Sequence, residues 1–269
     1  MMHRKPQRGV TLVEMMVAMV IGLVVVGGAI TIYVSTVSSS TATLSSSKLN
    51  QELSALINVM TNDIRRAGFW GDAANNLENP QDNPFAALND TALEVIDDMA
   101  NDTQIAANGT TGECIVYAYD ADTTDSPPAV NDIDIVGFRL NNGVVQMRQQ
   151  GDIANNPNDH DNCNNANDTW RDVTDGNLIN VTALNFDLSS SECLNTIEPN
   201  GVDDDADGTI DNDPEPLCYN QVPAAGSGIV TVETRQVRVT VSGALVNDPG
   251  TTLTLNEDVR VRNDWVRVR

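Results

Sequence analysis

Closely spaced carboxylates between residues 203 and 215 give this sequence its clearest chemical potential. Asp203, Asp205 and Asp207 alternate with other residues, and Gly208 follows them. This order reproduces the alternating carboxylate ligands and the turn glycine of an EF-hand-like calcium loop. The sequence therefore predicts a calcium site with oxygen ligands from Asp203, Asp205, Asp207, Thr209 (through its carbonyl), Asp211, Asp213 and Glu215.

The predicted calcium loop departs from an EF-hand at its last ligand position, which is Pro214. Asp213 or Glu215 would then supply the closing carboxylate, and no helical pattern flanks the loop. It resembles the short Asp-x-Asp-x-Asp-Gly calcium loops of exported bacterial proteins. Calcium, the only cofactor expected, would order the acidic insertion near residues 195–220. The alternative is a solvated acidic loop without a metal.

Four cysteines are the next residues with chemical potential. They form no CxxC pair, and neither histidine has a zinc-like spacing to them. In an exported protein they predict two disulfides, for which three connectivities exist. We favour a bond between Cys193 and Cys218, because it would close the acidic loop. The candidates are Cys114, Cys163, Cys193 and Cys218.

The charge distribution argues against nucleic-acid binding. The formal net charge is −23, and between residues 67 and 232 the only basic residues are Arg139, Arg148 and Arg171. Nucleic-acid phosphates require Lys and Arg. The chain has neither a Gly-rich phosphate loop nor a nucleophile elbow, and His160 lies alone in a polar stretch. We therefore predict no enzymatic activity.

An apolar run from Val10 to Val34 follows a short leader, residues 1–9, which contains Arg4, Lys5 and Arg8. About 20 residues suffice to span a bilayer as a helix, and the basic flank should stay cytoplasmic. Glu14 is the only charge in the run. A secretory signal would not be expected to carry a carboxylate there, where it is costly in lipid and suggests a partner.

The segment Gly9-Val-Thr-Leu-Val-Glu14 resembles the class III prepilin signal of type IV pilins and pseudopilins. The resemblance implies that a prepilin peptidase cuts between Gly9 and Val10 and that Val10 becomes the methylated N-terminus. Glu14 would then be the fifth residue of the mature chain and would fix the register of assembly. Val10 departs from the Phe that is commonest in the family. The alternative is an ordinary, uncut membrane anchor.

The apolar pattern predicts one long helix over Val10–Ala67, about 85 Å at 1.5 Å per residue. Residues 10–34 would be the transmembrane or fibre-core part, and residues 35–68 the amphipathic second half. Gly68 can end the helix. The predicted apolar stripe of the second half consists of Leu49, Leu53, Leu56, Ile57, Met60 and Ile64.

Alternating apolar residues predict a β-rich domain over residues 69–269. The expected strands lie at residues 114–120, 133–140, 144–148, 178–188, 229–241, 251–255 and 258–268, and a short helix is expected near residues 92–99. Asn141-Asn142-Gly143 predicts a hairpin between two of these strands. The expected fold class is α+β and type IV pilin-like: a long N-terminal helix packed on an antiparallel sheet of about five to seven strands.

The segment Asp63-Ile-Arg-Arg-Ala-Gly-Phe-Trp70 resembles the end of the first helix in PilW-like minor pilins. The resemblance implies a structural subunit that primes type IV pilus assembly near the tip. Its partners would be other minor pilins, the major pilin, a tip adhesin, the prepilin peptidase and the inner-membrane assembly platform. Its body would be periplasmic and, after assembly, extracellular. The alternatives are a J-like pseudopilin of a type II secretion system and a membrane-anchored calcium-binding protein.

Overall fold

The computed structural model describes residues 9–87, 91–98, 103–105, 111–122, 129–151, 163–164, 168–193 and 230–268. The chain divides into two compact units, Met1–Ser47 and Lys48–Arg269. The first unit is helical wherever it is described beyond Thr11, and the second unit carries the hydrophobic core.

The helix α1 extends over Leu12–Ile64, 53 residues, which corresponds to about 80 Å. Its Ser/Thr-rich part is accommodated because hydroxyls bond to carbonyls one turn earlier. Thr36 Oγ1 donates to the Ile32 carbonyl and Thr41 Oγ1 to the Val37 carbonyl, both at 2.9 Å. A turn at residues 65–68 follows the helix, and Gly68 adopts a φ of 68°, which favours glycine.

Thirteen strands are present in the described part of the chain. They are β1 Glu94–Asp98, β2 Thr103–Ile105, β3 Thr111–Gly112, β4 Cys114–Ala118, β5 Ile135–Asn141, β6 Val144–Gln150, β7 Thr169–Asp172, β8 Ile179–Asp187, β9 Glu192–Cys193, β10 Val230–Thr234, β11 Gln236–Leu245, β12 Asp248–Arg260 and β13 Trp265–Val268. Short 3₁₀ turns lie at Ala73–Asn75, Pro80–Asp82, Pro84–Ala86 and Asp132–Asp134.

The strands form three antiparallel sheets within the described residues. The first has the order β2-β1-β4-β5-β6-β7, the second β12-β11-β8-β3, and the third β13-β10-β9. The sequence predicted a single sheet of about five to seven strands. That prediction is wrong in the number of sheets, because the described strands form three. Short strands such as β3 and β9 have two residues each and leave no periodic signal in the sequence.

One main core joins the second half of α1 to the first two sheets. All six residues of the predicted stripe are buried in it, together with Phe138 of β5 and Phe186 of β8. Gly243 of β11 lets the helix approach closely: a Cβ there would lie 3.4 Å from a Leu53 methyl carbon. The predicted fold class, a long helix packed on antiparallel strands, is confirmed.

The predicted β5–β6 hairpin is confirmed in position. Asn142 and Gly143 have φ values of 49° and 81°, as a tight type I′ turn requires. The short helix expected near residues 92–99 is wrong, because Glu94–Asp98 is strand β1. Val95 and Ile96 are β-branched and fully buried, and β1 pairs with both β2 and β4. Tertiary pairing decides the conformation there.

Candidate processing and assembly site

The backbone around the predicted cleavage position is not helical. Gly9, Val10 and Thr11 precede the first helical residue, Leu12, and all are exposed. The Gly9–Val10 bond therefore lies outside the helical hydrogen bonding.

Thr11 and Glu14 form a reciprocal capping box at the start of α1. The Thr11 backbone N–H donates to Glu14 Oε2 at 3.0 Å, and the Glu14 N–H donates to Thr11 Oγ1 at 3.3 Å. The Thr11 hydroxyl also donates to Glu14 Oε2 at 3.1 Å. Such a box satisfies backbone donors that the first helical turn leaves unpaired. This role of Thr11 was not predicted from the sequence, although the Thr-x-x-Glu spacing ahead of an apolar run is its signature.

The surface of α1 ahead of the core is apolar and fully available to a hydrophobic environment. Every residue from 9 to 44 is exposed, including Leu12, Leu23 and Ile32 at 66–76% of their surface. Length and composition make α1 a candidate membrane span. A protein in water does not keep such a surface uncovered, since contiguous apolar patches of this size mark membrane or protein contacts.

The far end of α1 is fixed to the first sheet by a cluster of polar side chains. The Tyr117 hydroxyl donates to Asp63 Oδ2 at 2.6 Å, and the Tyr119 hydroxyl donates to Asp63 Oδ1 at 3.2 Å. Arg66 lies 3.6 Å from Asp63 and stacks over the Tyr119 ring at 4.0 Å from its centroid. Four groups thus couple the last helical turn to the strand β4 and the residues after it.

Burial changes the acidity of both tyrosines in this cluster. It raises the pKa of Tyr117 well above its ordinary value of 10.0, and the nearby Asp63 charge raises that pKa further. The same two causes raise the pKa of Tyr119 to about 12. Both hydroxyls therefore stay neutral donors to Asp63 far above physiological pH.

Residues near the C-terminus complete the end of the helix. The Arg262 backbone N–H donates to the Arg65 carbonyl at 3.1 Å, and Asn263 Nδ2 donates to the Ala67 carbonyl at 3.0 Å. The Gly68 N–H donates to the Ala118 carbonyl at 2.8 Å. Carbonyls of the turn that follows the helix are thereby satisfied by a segment almost 200 positions away in sequence.

The structure contains a disulfide between Cys114 and Cys163, with a Cα–Cα distance of 6.6 Å. Of the three two-bridge connectivities, this bond is compatible only with the one that joins Cys193 to Cys218. Cys193 ends β9, whereas Cys218 lies outside the described residues. The Cys193–Cys218 bond therefore stays a prediction.

Buried Arg148 and half-buried Arg139 support the segment that carries Cys163. The Arg148–Asp168 ion pair, 2.8 Å long, leaves 0% and 1% of the two side chains exposed. Arg139 donates to the Cys163 carbonyl and stacks on Trp170 at 4.2 Å from its ring centroid. Burial lowers the pKa of Arg139. These contacts attach Cys163 and Asp168 to the first sheet.

The predicted calcium ligands between residues 203 and 215 lie outside the described residues. Among the described residues, no group of three or more His, Cys, Asp or Glu side chains is placed to hold a metal ion. The calcium site stays a prediction from the sequence.

Two family models match the chain. The model for the prokaryotic N-terminal methylation motif matches residues 4–30. The model for prepilin peptidase-dependent protein B matches residues 42–261, most of the chain. The chain belongs to this prepilin peptidase-dependent family. It is a type IV pilin-like protein, anchored in a membrane by its N-terminal helix and carrying a C-terminal domain.

No curated protein and no solved structure shows significant similarity to this pilin-like chain. The family match does not single out PilW, so the assignment to PilW-like minor pilins stays a prediction. The motif match includes Gly9, Val10 and Glu14, the three residues on which the predicted processing and assembly depend.

Proposed function

We propose that this chain is a minor pilin, a structural and non-enzymatic subunit that primes type IV pilus assembly and sits in a complex near the pilus tip. The observation that carries the proposal is the combination of the methylation motif, residues 4–30, with a helix whose residues 9–44 are entirely exposed. The body would lie in the periplasm before assembly and outside the cell afterwards.

The exposed helix supplies the physical mechanism. Burying one large apolar side chain is worth about 1.5–3 kcal/mol relative to leaving it in water. More than a dozen such side chains line α1 before residue 45. The inner-membrane assembly platform can therefore extract the subunit only if other pilin helices replace lipid as the covering surface. Those helices would come from other minor pilins and the major pilin, with a tip adhesin as the distal partner.

Glu14 would fix the register of this packing. One of its carboxylate oxygens, Oε2, accepts both bonds from Thr11, which leaves Oε1 for a partner. In the proposed assembly it pairs with the methylated, positively charged N-terminus of a neighbouring subunit. Away from water, an unpaired carboxylate is expensive, so subunits that align the two charges are favoured.

The N-terminal mass of the protein tests the proposal most directly. The chain is expressed in a host with a prepilin peptidase and in a matched host without it, and membranes are analysed by mass spectrometry. We expect a peptide that begins at N-methylated Val10 only when the peptidase is present. An intact leader in both hosts would overturn the pilin role.

A second measurement separates a pilus subunit from its closest alternative. Sheared surface pili and the secretion of a type II substrate are assayed in a strain that lacks the gene. We expect loss of pili with normal secretion. Normal pili with a secretion defect would instead assign the chain to the J-like pseudopilins.

A further inference from the structure

An open cleft lies beside the loop that follows α1, between that loop and the C-terminal segment. Its volume is about 330 Å³, near the lower end of the range of roughly 300–1,000 Å³ for ligand sites. Phe69, Trp70 and Leu77 supply apolar walls, and Asn76, Asn263 and Asp264 supply polar ones. Phe69 and Leu77 are 40% and 79% exposed, although residues of this type are normally covered.

The polar walls of the cleft offer acceptors and have few donors to spare. Asn76 Nδ2 donates to the carbonyl and the carboxylate of Asp72, and Asn263 Nδ2 donates to the Ala67 carbonyl. In the described part of the chain, nothing donates to the side-chain oxygens of Asn76 and Asn263. Asp264 receives one long contact, 3.4 Å, from Arg260 to Oδ1, which leaves Oδ2 available. The asparagine and aspartate oxygens of the cleft therefore require a ligand group that donates hydrogen bonds. The buried Trp70 Nε1–H is a donor without a partner in the described part of the chain.

The side chains that stack on the other tryptophans of the molecule indicate which hydrogen-bond donor suits the cleft. Arg139 stacks on Trp170 at 4.2 Å, and Arg235 stacks on Trp265 at 4.7 Å from the ring centroid. Trp70 is the third tryptophan, and no described residue stacks a guanidinium on it. A guanidinium carries five donors and no acceptor, and it stacks on aromatic faces because it is weakly hydrated.

We propose that this cleft binds an arginine side chain presented by a partner protein. The guanidinium would donate to Asp264 Oδ2 and to the amide oxygen of Asn263, while its aliphatic part packs on Phe69 and Leu77. The charge of the molecule supports this occupant. No Lys or Arg lines the cleft, and the net charge of −23 attracts a basic partner. The proposal is independent of pilus assembly, because the isolated protein should bind the group.

The test uses the full chain in nanodiscs of neutral lipid, with its three tryptophans replaced biosynthetically by fluorotryptophan. Fluorine NMR then gives one signal per tryptophan, and substitution of each tryptophan by Phe assigns them. The probe is the blocked tripeptide N-acetyl-Ala-Arg-Ala-amide. The control is the same peptide with Glu in place of Arg. We expect a saturable shift of the Trp70 signal alone with the arginine peptide.

Two matched variants distinguish the effect of the Asp264 carboxylate on binding from the effect of its ion pair with Arg260. Asp264→Asn removes the charge, and Arg260→Gln breaks the same Arg260–Asp264 contact but keeps the carboxylate. Asp264→Asn should weaken binding about tenfold, as expected for one charge-assisted hydrogen bond, whereas Arg260→Gln should bind at least as tightly as the parent. An unmoved Trp70 signal, equal binding of the Glu peptide, or equal weakening in both variants would overturn the proposal.

Discussion

The Tyr117 hydroxyl lies 2.6 Å from Asp63 Oδ2, and this hydrogen bond joins the last turn of α1 to the middle of the first sheet. The two residues are 54 positions apart in sequence. Tyr117 is 2% exposed, so its bond to the carboxylate is shielded from water. The C-terminal end of α1 is thereby fixed to the first sheet.

Replacement of Tyr117 by Phe should destabilise the body. The change removes the donor and leaves a partly buried carboxylate without its shortest bond, which costs about 1.5–3 kcal/mol. Urea unfolding measures the loss. Tyr119→Phe is the matched control, because its bond to the same carboxylate is longer, 3.2 Å, and should contribute about 1 kcal/mol. Equal losses of stability in the two variants would contradict the prediction that the Tyr117 bond to Asp63 is the stronger one.

Stability should fall at alkaline pH because of the same two tyrosines. Unfolded tyrosine loses its proton near pH 10. In the folded protein the pKa of Tyr119 is about 12, and the pKa of Tyr117 lies well above its ordinary value. Between these limits the folded state binds more protons, so the free energy of unfolding decreases as pH rises. The stabilisation of the folded state by the two protonated tyrosines is fully present below about pH 10. Melting temperatures against pH should decline less steeply in Tyr119→Phe; an identical slope would refute this cause.

Variants of Thr11 and Glu14 can separate two roles of the Glu14 carboxylate: capping of α1 and pairing with a neighbouring subunit. Thr11→Val removes the capping hydroxyl, at a local cost of about 1 kcal/mol, and keeps the Glu14 charge. We expect it to preserve piliation, whereas Glu14→Ala should insert into the membrane normally and impair assembly. Electron microscopy of surface pili and membrane fractionation measure both. Loss of pili in Thr11→Val would mean that the capping box, and not pairing with a neighbour, explains the need for Glu14.

The disulfide between Cys114 and Cys163 should stabilise the body. Its two cysteines are separated by 49 positions, and removal of a disulfide typically costs about 2–4 kcal/mol. The double variant Cys114→Ala, Cys163→Ala avoids a free thiol and should melt at a lower temperature. Peptide mapping of the oxidised parent should find Cys114 linked to Cys163 and Cys193 linked to Cys218. A peptide that links Cys114 to Cys193 would contradict both assignments.

Calcium should raise the melting temperature of the parent protein and a chelator should lower it. The double variant Asp205→Ala, Asp207→Ala removes two of the predicted ligands, so its melting temperature should not respond to calcium. Glu78→Ala, Asp82→Ala is the control, because it removes the same charge from exposed positions in the 3₁₀ region. A parent whose melting temperature is identical with and without chelator has no such site.

Local sequence patterns predicted much of the fold. The helical stripe from Leu49 to Ile64 was found because apolar residues recur on one face of a helix, and the β5–β6 turn because Asn-Gly favours positive φ. The processing motif is equally local, since the glycine, the carboxylate and the apolar run occur in fixed register. Glu94–Asp98 shows the limit of such patterns: five residues cannot reveal which strands will pair with them.

The sequence by itself determined the membrane-anchoring helix, the prepilin-like N-terminus and the α+β class, because each depends on neighbours within a few turns of the chain. Only the tertiary structure decided that Cys114 pairs with Cys163, that Asp63 binds Tyr117, and that Asn263 completes the end of α1. These contacts join residues from 49 to 196 positions apart. Such pairs depend on how two sheets pack against the second half of one helix, and no local periodicity encodes that packing.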